Sequence, residues 1–383
     1  MSHSKKNVPK RRFKEFNNAD AWEQHKLRDF TKISQGLQIA ISDRYLENGD
    51  NRELYITNEF LNTYSSPKYY IEDPPENVIA NEDDILMTRT GNTGKVITNV
   101  IGAFHNNFFK IDYNPMKTSK LFLYYVLVSE NIQKEILIKA GTSTIPDLNH
   151  NDFYSIVIQV PKIQEQQKIG DFFKQLDNTI ALHQRKLEKI KALKTAYLSE
   201  MFPAEGETKP KRRFAGFTDD WEQRKLEDIL DVRSGRDYKH LDSGDIPVYG
   251  TGGYMLSVGE ALSYEEDAIG IGRKGTIDKP YILKAPFWTV DTLFYTVPKR
   301  DSDLNFIHSI FQKINWKSKD ESTGVPSLSK TTINAVSVFT PSCSEQKEIG
   351  TFFNKLDDTI ALHQRKLQKL QNIKKAYLNE MFI

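Results

Sequence analysis

The stretch TIALHQRKL is found twice in the chain, at residues 179–187 and again at residues 359–367. The two copies belong to longer matching segments, residues 165–202 and residues 345–382, in which 25 of 38 positions are identical. A match of this length within one chain indicates an internal duplication. The fold must therefore accommodate two copies of one long segment.

The repeated segment has the apolar spacing of a paired helix. Its apolar residues alternate in steps of four and three, and this period of about 3.5 residues is typical of a coiled-coil seam. Pro161 and Pro341 precede the two copies and Pro203 follows the first, so each copy is predicted to form one helix about 57 Å long. Neither helix could bury its apolar stripe alone, and we expect the two to pack on each other. The predicted pairing seam consists of Ile169, Phe173, Leu176, Ile180, His183, Leu187, Ile349, Phe353, Leu356, Ile360, His363 and Leu367.

The predicted pairing is antiparallel, because a pseudo-two-fold relation between the halves reverses one helix relative to the other. Such a pair would place one variable domain at each end. Only the helix middles then bring equivalent residues together, so His183 and His363 are expected to lie close to each other. Two interpretations stay open: each imidazole bonds a local backbone or water group, or the pair marks the helix register as a buried asparagine does in other coiled coils.

The duplication extends beyond the helices. KRRFKEFNNADAWEQHKLRDF at residues 10–30 returns as KRRFAGFTDDWEQRKLEDI at residues 211–229, and GTSTIPDL at residues 141–148 matches STGVPSL at residues 322–328. The regions between these matches are almost unrelated in sequence. A scaffold has therefore been kept while the parts that it carries have diverged.

The variable regions are predicted to mix strands and helices. In residues 84–97 (DILMTRTGNTGKVI) and 267–277 (DAIGIGRKGTI), β-rich runs flank a glycine turn. Helices with apolar i, i+3, i+4 spacing are predicted at residues 121–139 and 304–316.

The predicted fold class is α+β, with two mixed α/β domains separated by two long helices paired as an antiparallel coiled coil. The pseudo-two-fold internal duplication relates the two halves. Trp22 and Trp221, in the matching first segments, are predicted to anchor the cores. The predicted segments are a first domain at 1–160, a first long helix at 161–203, a second domain at 204–340 and a second long helix at 341–383.

The composition predicts a soluble, cytoplasmic protein. Of 383 residues, 38% are hydrophobic and 27% charged, and one is cysteine, which excludes an internal disulfide. The sequence has no apolar run of about 18 residues and no export signal near Met1. The net charge of +2 is low for a protein that holds nucleic acid by itself. Basic clusters at residues 5–14, 185–194 and 209–213 are either solvated faces or DNA contacts made with help from partner subunits.

The motifs that would indicate catalysis are missing or out of context. GIGRKG at residues 270–275 satisfies G-x-G-x-x-G, but Pro280 follows too soon for the helix that a dinucleotide site needs. DPPE at residues 73–76 has Glu76 where an amino-methyltransferase motif has an aromatic residue. No phosphate-binding loop or His/Cys metal motif is found. The sequence therefore predicts no catalytic or metal residue.

The order of the duplicated parts resembles the specificity subunit of Type I restriction-modification enzymes. Two divergent regions are each closed by a proline followed closely by Glu-Gln, Pro161 with EQ at 165–166 and Pro341 with EQ at 345–346, and then by a long repeated helix. IPVYGTGGY at residues 246–254 and the GRKGTI turn also look like segments of that family's target recognition domains.

This resemblance implies a clamp-like protein that is not itself an enzyme. Each target recognition domain would read one half of a gapped, bipartite site in double-stranded DNA, and the paired helices would set the gap. Modification (methyltransferase) subunits using S-adenosylmethionine would dock on the helices, and restriction (motor-nuclease) subunits using ATP and magnesium would join them. No cofactor is then expected in this chain.

The candidate DNA-binding residues are long donors in glycine-flanked turns and polar or aromatic residues in the second glycine-rich loop. Such side chains could reach groove edges or phosphates, although ordinary surface placement is an equal alternative for each. The candidates are Arg89, Asn92, Lys95, Tyr249, Thr251, Tyr254, Arg273 and Lys274.

Two other functions are compatible with parts of the sequence. A coiled-coil scaffold that binds only protein would retain no DNA in a complex with its partners. A stand-alone nuclease or methyltransferase would need cofactor motifs that the sequence lacks.

Overall fold

The computed structural model describes residues 8–62, 67–142, 144–204 and 206–383. The first residues of the basic cluster at 5–14 lie outside this part. The chain forms two compact units. Unit 1 comprises Met1–Leu182 and Leu367–Ile383, and unit 2 comprises His183–Lys366. Both combine β-sheets with helices, which confirms the predicted α+β class.

Unit 1 contains two four-stranded sheets and one two-stranded sheet in its described residues. The sheet orders are β2-β9-β6-β7, β4-β3-β8-β5 and β1-β10. All pairs are antiparallel except β3 with β8. The strands are β1 (Glu23–Lys26), β2 (Thr31–Gln35), β3 (Arg52–Ile56), β4 (Tyr69–Glu72), β5 (Ile79–Ala80), β6 (Ile85–Thr88), β7 (Val96–Thr98), β8 (Gly102–Phe104), β9 (Phe108–Tyr113) and β10 (Val157–Val160). The helices are α1 (Lys120–Val128), α2 (Glu130–Ala140), α3 (His150–Ser155) and α4 (Ile163–Glu200), and α4 enters unit 2 after Leu182.

Unit 2 repeats this topology with a smaller second sheet. Its described sheets are β12-β18-β15-β16, β14-β13-β17 and β11-β19, and β13 with β17 is again a parallel pair. The strands are β11 (Glu222–Lys225), β12 (Leu230–Ser234), β13 (Ser243–Gly250), β14 (Gly253–Val258), β15 (Ala268–Gly272), β16 (Tyr281–Leu283), β17 (Trp288–Thr289), β18 (Leu293–Pro298) and β19 (Ser337–Thr340). The helices are α5 (Leu226–Ile229), α6 (Leu304–Lys313), α7 (Lys330–Asn334) and α8 (Cys343–Met381), and α8 enters unit 1 at Leu367.

The structure corrects two local predictions. The helix predicted at residues 121–139 is interrupted at Ser129, whose backbone is extended and whose Oγ donates to the carbonyl of Val126 at 2.6 Å. A serine hydroxyl competes with the helical backbone in this way and favours a helix end. The strand predicted to end at Ile277 does not form either. Its place beside β15 is taken by β16, which begins after Pro280.

Both cores have the same aromatic centre. In unit 1, Trp22 is 2% exposed and contacts Phe122, which also contacts Phe382 after the end of α8. In unit 2, Trp221 is equally buried and contacts Phe306 and Phe202, which follows the end of α4. The two tryptophans are therefore core anchors, as the matching segments predict.

The start of each long helix, α4 and α8, is held by a buried ion pair. In unit 2, Arg213 donates from Nε and Nη2 to the two carboxylate oxygens of Glu345 at 2.6 and 2.7 Å, and the Glu345 side chain is 1% exposed. In unit 1, Arg12 makes the same two bonds to Glu165 at 2.7 and 2.6 Å. The KRRF arginines were interpreted as a solvated face or a DNA contact, but one arginine of each copy is an internal anchor.

The adjacent glutamine completes this arrangement. Gln166 donates from Nε2 to the carbonyl of Pro161 at 2.9 Å and accepts from the backbone N–H of Ser119, the N-cap of α1, at 2.9 Å. Gln346 makes the corresponding bonds to Pro341 and Asp303 at 3.0 and 3.1 Å. The Glu-Gln pair thus connects the long helix to the strand before it and to the domain helix beside it.

The long helices pair antiparallel in each unit. In unit 1, Phe172 contacts Tyr377 with ring centres 5.4 Å apart, and Asp177 binds Lys374 at 2.5 Å. Residue numbers thus rise along one helix as they fall along the other.

Unit 2 shows the same order through Tyr197 with Phe352 and Lys194 with Asp357. Lys194 occupies a seam position where the pattern otherwise has an apolar residue. Its ion pair with Asp357 explains why a lysine is tolerated there.

The predicted seam residues are placed as follows. Ile169, Phe173, Leu187, Ile349, Phe353 and Leu367 are buried. Leu176, Ile180, His183, Leu356, Ile360 and His363 are half-buried.

The two central histidines are close together, as the antiparallel arrangement predicts. The Nδ1 atoms of His183 and His363 lie 3.2 Å apart within unit 2. Burial and then the charge of His363 lower the pKa of His183, and Lys366 and Lys186 act in the same direction. Protonation of His183 is therefore opposed in the folded state.

No helix in the described ranges is both long and apolar enough to span a bilayer.

Breaking the buried ion pair should destabilise unit 2. Glu345→Ala leaves the guanidinium of Arg213 largely buried without its carboxylate, and we expect the free energy of unfolding to fall by about 3 kcal/mol. The control Glu200→Ala removes an exposed pair with Arg212, so its effect should be much smaller. Calorimetric melting of both variants checks this. Equal effects would contradict the proposed anchoring.

The histidine pair should make stability depend on pH. Because the pKa of His183 is lower in the folded than in the unfolded chain, the unfolded chain binds more protons as pH falls below about 6.5. Stability should therefore decrease between pH 7.5 and 5.5, and replacing both His183 and His363 by leucine should reduce this decrease. The pKa of buried His308 is also lowered, but His308 is present in both proteins and its contribution cancels. Melting curves that shift equally with pH in both proteins would refute the effect.

Candidate nucleic-acid interface

The first candidate turn joins β6 to β7. Thr88 N–H donates to the carbonyl of Lys95 at 2.9 Å, and Gly94 N–H donates to the carbonyl of Thr88 at 2.8 Å. Gly94 has a φ of +87°, and a Cβ there would lie 2.9 Å from Gln133 Oε1, so glycine suits this position best. The turn leaves Asn92 and Lys95 exposed.

Arg89, at the start of this turn, is held by its neighbours. Its Nη2 donates to Asp147 Oδ2 at 2.7 Å, and its Cζ lies 5.6 Å from the ring centre of Phe109. Its Nε is buried and has no hydrogen-bond partner among the described residues, and the side chain is 19% exposed. Asp147 and Phe109 thus leave only part of the side chain accessible to solvent.

The loop that contains Pro146 lies beside the first turn. The carbonyl of Arg89 accepts from Leu148 N–H at 2.8 Å, and Thr93 Oγ1 donates to the carbonyl of Pro146 at 2.6 Å. The sequence matched this loop with its copy but did not associate it with the glycine turn. Asp147 is thus a site residue that sequence reasoning missed.

The second candidate turn follows β15 in unit 2. Arg273 and Lys274 are exposed, and the N–H groups of both donate to the carbonyl of Thr292, at 2.8 and 3.2 Å. The Cζ of Arg273 lies 5.8 Å from the ring centre of Phe294, and its Nη1 donates to the carbonyl of Asp291 at 3.3 Å. These contacts hold the backbone of the turn and leave both cationic groups accessible.

The Pro326 loop meets this turn as its copy does in unit 1. The carbonyl of Arg273 accepts from Leu328 N–H at 2.9 Å, and Gly275 N–H donates to the carbonyl of Pro326 at 2.8 Å. Arg273 is therefore the structural equivalent of Arg89. Both stand over a phenylalanine at the matching position of the central sheet, within the range of a cation–π contact.

The remaining candidates lie on the hairpin of β13 and β14. Tyr249 is half-buried, with its ring centre 6.3 Å from that of Tyr254 and 6.1 Å from that of Tyr281. Tyr281 donates its hydroxyl to the carbonyl of Gly250 at 2.6 Å, and burial raises the pKa of Tyr281, so this donor stays protonated. Tyr254, by contrast, is 62% exposed at the hairpin tip.

Thr251 connects the hairpin with the second turn. Its Oγ1 would lie 3.7 Å from a Cβ added at Gly275. The structure thus brings Thr251 beside the turn of Arg273 and Lys274, whereas Arg89, Asn92 and Lys95 form a separate group in unit 1.

An arginine–tyrosine cluster in unit 1 was not predicted. The Cζ of Arg52 lies 3.5 Å from the ring centre of Tyr45, and that of Arg44 lies 5.2 and 5.5 Å from those of Tyr55 and Tyr69. The mixture of arginine and tyrosine in residues 44–55 was a weak signal for it. Arg52 and Tyr55 belong to β3 and Tyr69 to β4. Arg44 and Tyr45 precede β3 in the chain.

No group of three or more His, Cys, Asp or Glu side chains within the described ranges is arranged to hold a metal. What the two units share is an arginine at the same position of one duplicated scaffold.

A comparison with protein families identifies the family to which this chain belongs. The family described as "Type I restriction modification DNA specificity domain" matches residues 19–192 and 218–372. The chain therefore belongs to that family and carries two copies of its domain.

Individual relatives agree with this assignment. The Type I restriction enzyme MjaVIII specificity subunit of Methanocaldococcus jannaschii is 22% identical over 400 residues, which cover 94% of this chain and 91% of that protein. The crystal structure of a Type I restriction-modification S subunit from M. genitalium has a TM-score of 0.73 at 17% identity, covering 98% of this chain and 99% of that one. A chain from a study of complex assembly and conformational transition in the type I R-M system has a TM-score of 0.50 at 14% identity, covering 94% and 97%. These structures are similar to this chain in fold.

Lys274 is expected to contact a DNA phosphate. Lys274→Ala in the full chain should weaken binding to all DNA sequences alike, and the slope of log K against log salt should fall in magnitude by about 0.9. The control Lys225→Ala removes an exposed lysine at the end of β11, where it pairs with Glu227 of α5. This change should leave DNA binding unchanged. Fluorescence anisotropy at several salt concentrations measures both quantities. A loss confined to one DNA sequence would contradict a phosphate contact.

Proposed function

We propose that this chain is the DNA recognition subunit of a Type I restriction-modification complex, and that each of its two domains reads one half of a gapped, bipartite site. The observation that carries the proposal is the equivalence of Arg89 and Arg273. Both arginines occupy the same position beside the central sheet, yet the loops around them differ in sequence. A common scaffold with different surroundings suits two domains that read different half-sites.

The chemistry of the two turns supports direct reading of DNA. Arginine donates two parallel hydrogen bonds to the O6 and N7 atoms of guanine, and lysine and asparagine also reach base edges or phosphates. The exposed aromatic ring of Tyr254 adds a surface for sugar or base contact. The low net charge implies that other subunits contribute part of the phosphate binding.

The paired helices are proposed to set the gap and to dock the modification subunits. In the repeated stretch, Leu182 and its equivalent Leu362 are 46% and 44% exposed. The same apolar side chain is thus exposed at the same position of both copies. The relatives whose names describe specificity subunits support partner subunits in general.

Catalysis is assigned to those partners. We infer that modification subunits with S-adenosylmethionine methylate the DNA and that restriction subunits with ATP and magnesium cleave it. This chain would supply sequence recognition and no reacting group. A scaffold that binds only protein is less well supported, because the matching family is defined by DNA specificity.

Exchange of one recognition domain tests the division of labour. Replacing residues 31–145 by the corresponding region of another specificity subunit should change one half of the methylated motif, because that region holds the first glycine turn with Arg89, Asn92 and Lys95. The other half and the gap length should be unchanged. Methylome sequencing of cells that express the chimera with its modification partner gives the result.

The matched control exchanges the corresponding region of unit 2, residues 230–325, and should change the opposite half. A chimera that alters both halves together would contradict independent reading. Methylation without any dependence on these regions would refute the proposed function.

A further inference from the structure

The equivalent arginines differ in one neighbour. Arg89 binds the carboxylate of Asp147, the residue after Pro146. The residue after Pro326 is Ser327, and no carboxylate among the described residues lies within 4 Å of the guanidinium of Arg273. The same position of the duplicated scaffold therefore carries a charge in unit 1 and none in unit 2.

The contact with Asp147 restricts how Arg89 can bind a ligand. One hydrogen of Nη2 is directed to Asp147 Oδ2, and Nε is buried. The free donors are then Nη1 and the second hydrogen of Nη2. These form the outer edge of the guanidinium, which can donate two parallel hydrogen bonds to one planar acceptor pair.

Arg273 has more freedom. Its guanidinium makes one bond of 3.3 Å to a backbone carbonyl, and the residue is exposed. The backbone N–H of Ser327 donates to Asp320 Oδ1 at 2.9 Å, and its side chain has no carboxylate with which to bind the guanidinium. An arginine held by one long hydrogen bond and by the ring of Phe294, with no carboxylate partner, can reorient towards a phosphate or towards more than one base.

We propose that positions 147 and 327 determine how each domain uses its arginine. Asp147 fixes Arg89 as a reader of a guanine edge in the first half-site, whereas Ser327 leaves Arg273 as an adaptable contact in the second. The proposal rests on the proposed function and adds a determinant of specificity to it. Asp147 acts through Arg89 and is a positioning residue.

The charge of Asp147 would lower the affinity of the first domain for DNA and raise its selectivity between bases. A carboxylate near the DNA surface repels phosphates, which lowers affinity for every sequence. By holding Arg89 in one orientation it also removes the alternative contacts that a different base could accept. Domain 1 would thus bind less tightly but discriminate more sharply than it would with serine at this position.

The test is a reciprocal exchange in the full chain, assembled with its modification subunits. Asp147→Ser should reduce the preference for guanine at one position of the first half-site by about tenfold, and it should leave the second half-site unchanged. Ser327→Asp should lower affinity for all DNA but sharpen the base preference at one position of the second half-site. Competition binding with single-base variants of the site measures both preferences.

Two further variants separate positioning from a structural role. Asp147→Glu keeps the carboxylate and should retain much of the guanine preference, whereas Asp147→Asn, of the same shape but uncharged, should lose more of it. The melting temperature of each variant reports on the loop itself. A fall in melting temperature with unchanged base preference would overturn the proposal, as would a change spread evenly over both half-sites.

The exchange of residues 31–145 shows whether a negative result refutes only the role of Asp147 or also the proposed function of the domain. If that exchange alters one half-site but Asp147→Ser changes no base preference, only the role of position 147 is wrong. If neither alters the site, the assignment of the first half-site to this domain fails with it.

Discussion

The buried pairing of an arginine with a glutamate in the first turn of each long helix is the contact on which the rest of each unit depends. Arg12 with Glu165, and Arg213 with Glu345, join the amino-terminal segment of a domain to the helix that follows it. Such a pair is tolerated only when both carboxylate oxygens are satisfied, since an unpaired buried charge is strongly unfavourable. The two hydrogen bonds of each pair therefore allow few arrangements of the arginine and the glutamate. They fix the position of the amino-terminal segment of the domain relative to the start of the long helix.

This restriction explains the distribution of identity along the chain. One arginine of the KRRF segment, the proline and the Glu-Gln pair are joined by hydrogen bonds in each unit, although the KRRF segment is distant from the others in sequence. A change in any of them disturbs the others. The glycine turns after β6 and β15 bond instead to the loops that contain Pro146 and Pro326, so their surroundings can differ without altering these bonds.

The seam of the long helices combines burial with polar exceptions that define its register. Lys194 pairs with Asp357, and its copy Lys374 pairs with Asp177. An ion pair at a half-buried position has one favourable alignment, whereas an apolar stripe tolerates shifts by a heptad. The histidine pair adds a contact at the helix middle, which is the one place where an antiparallel alignment brings equivalent residues together. Polar residues at apolar positions are thus consistent with selection of one register.

The sequence by itself determined the duplication, the paired helices, the α+β class and the approach of His183 to His363. Each of these follows from periodicity or from internal matching, which are properties of the order of residues. It also selected Arg89 and Arg273 as candidate site residues, because a long donor beside a glycine turn is a local pattern. The break at Ser129 was not predicted, since a single serine only weakly competes with helical propensity.

Only the tertiary structure decided which distant residues share a site. It placed Asp147 on Arg89, put Ser327 in the equivalent place, brought Thr251 beside Gly275 and turned the KRRF arginines inward. No local pattern encodes these relations. They arise because sheet pairing brings together segments that are separated in the chain, by 58 positions for Arg89 and Asp147, and that pairing depends on the packing of the whole core.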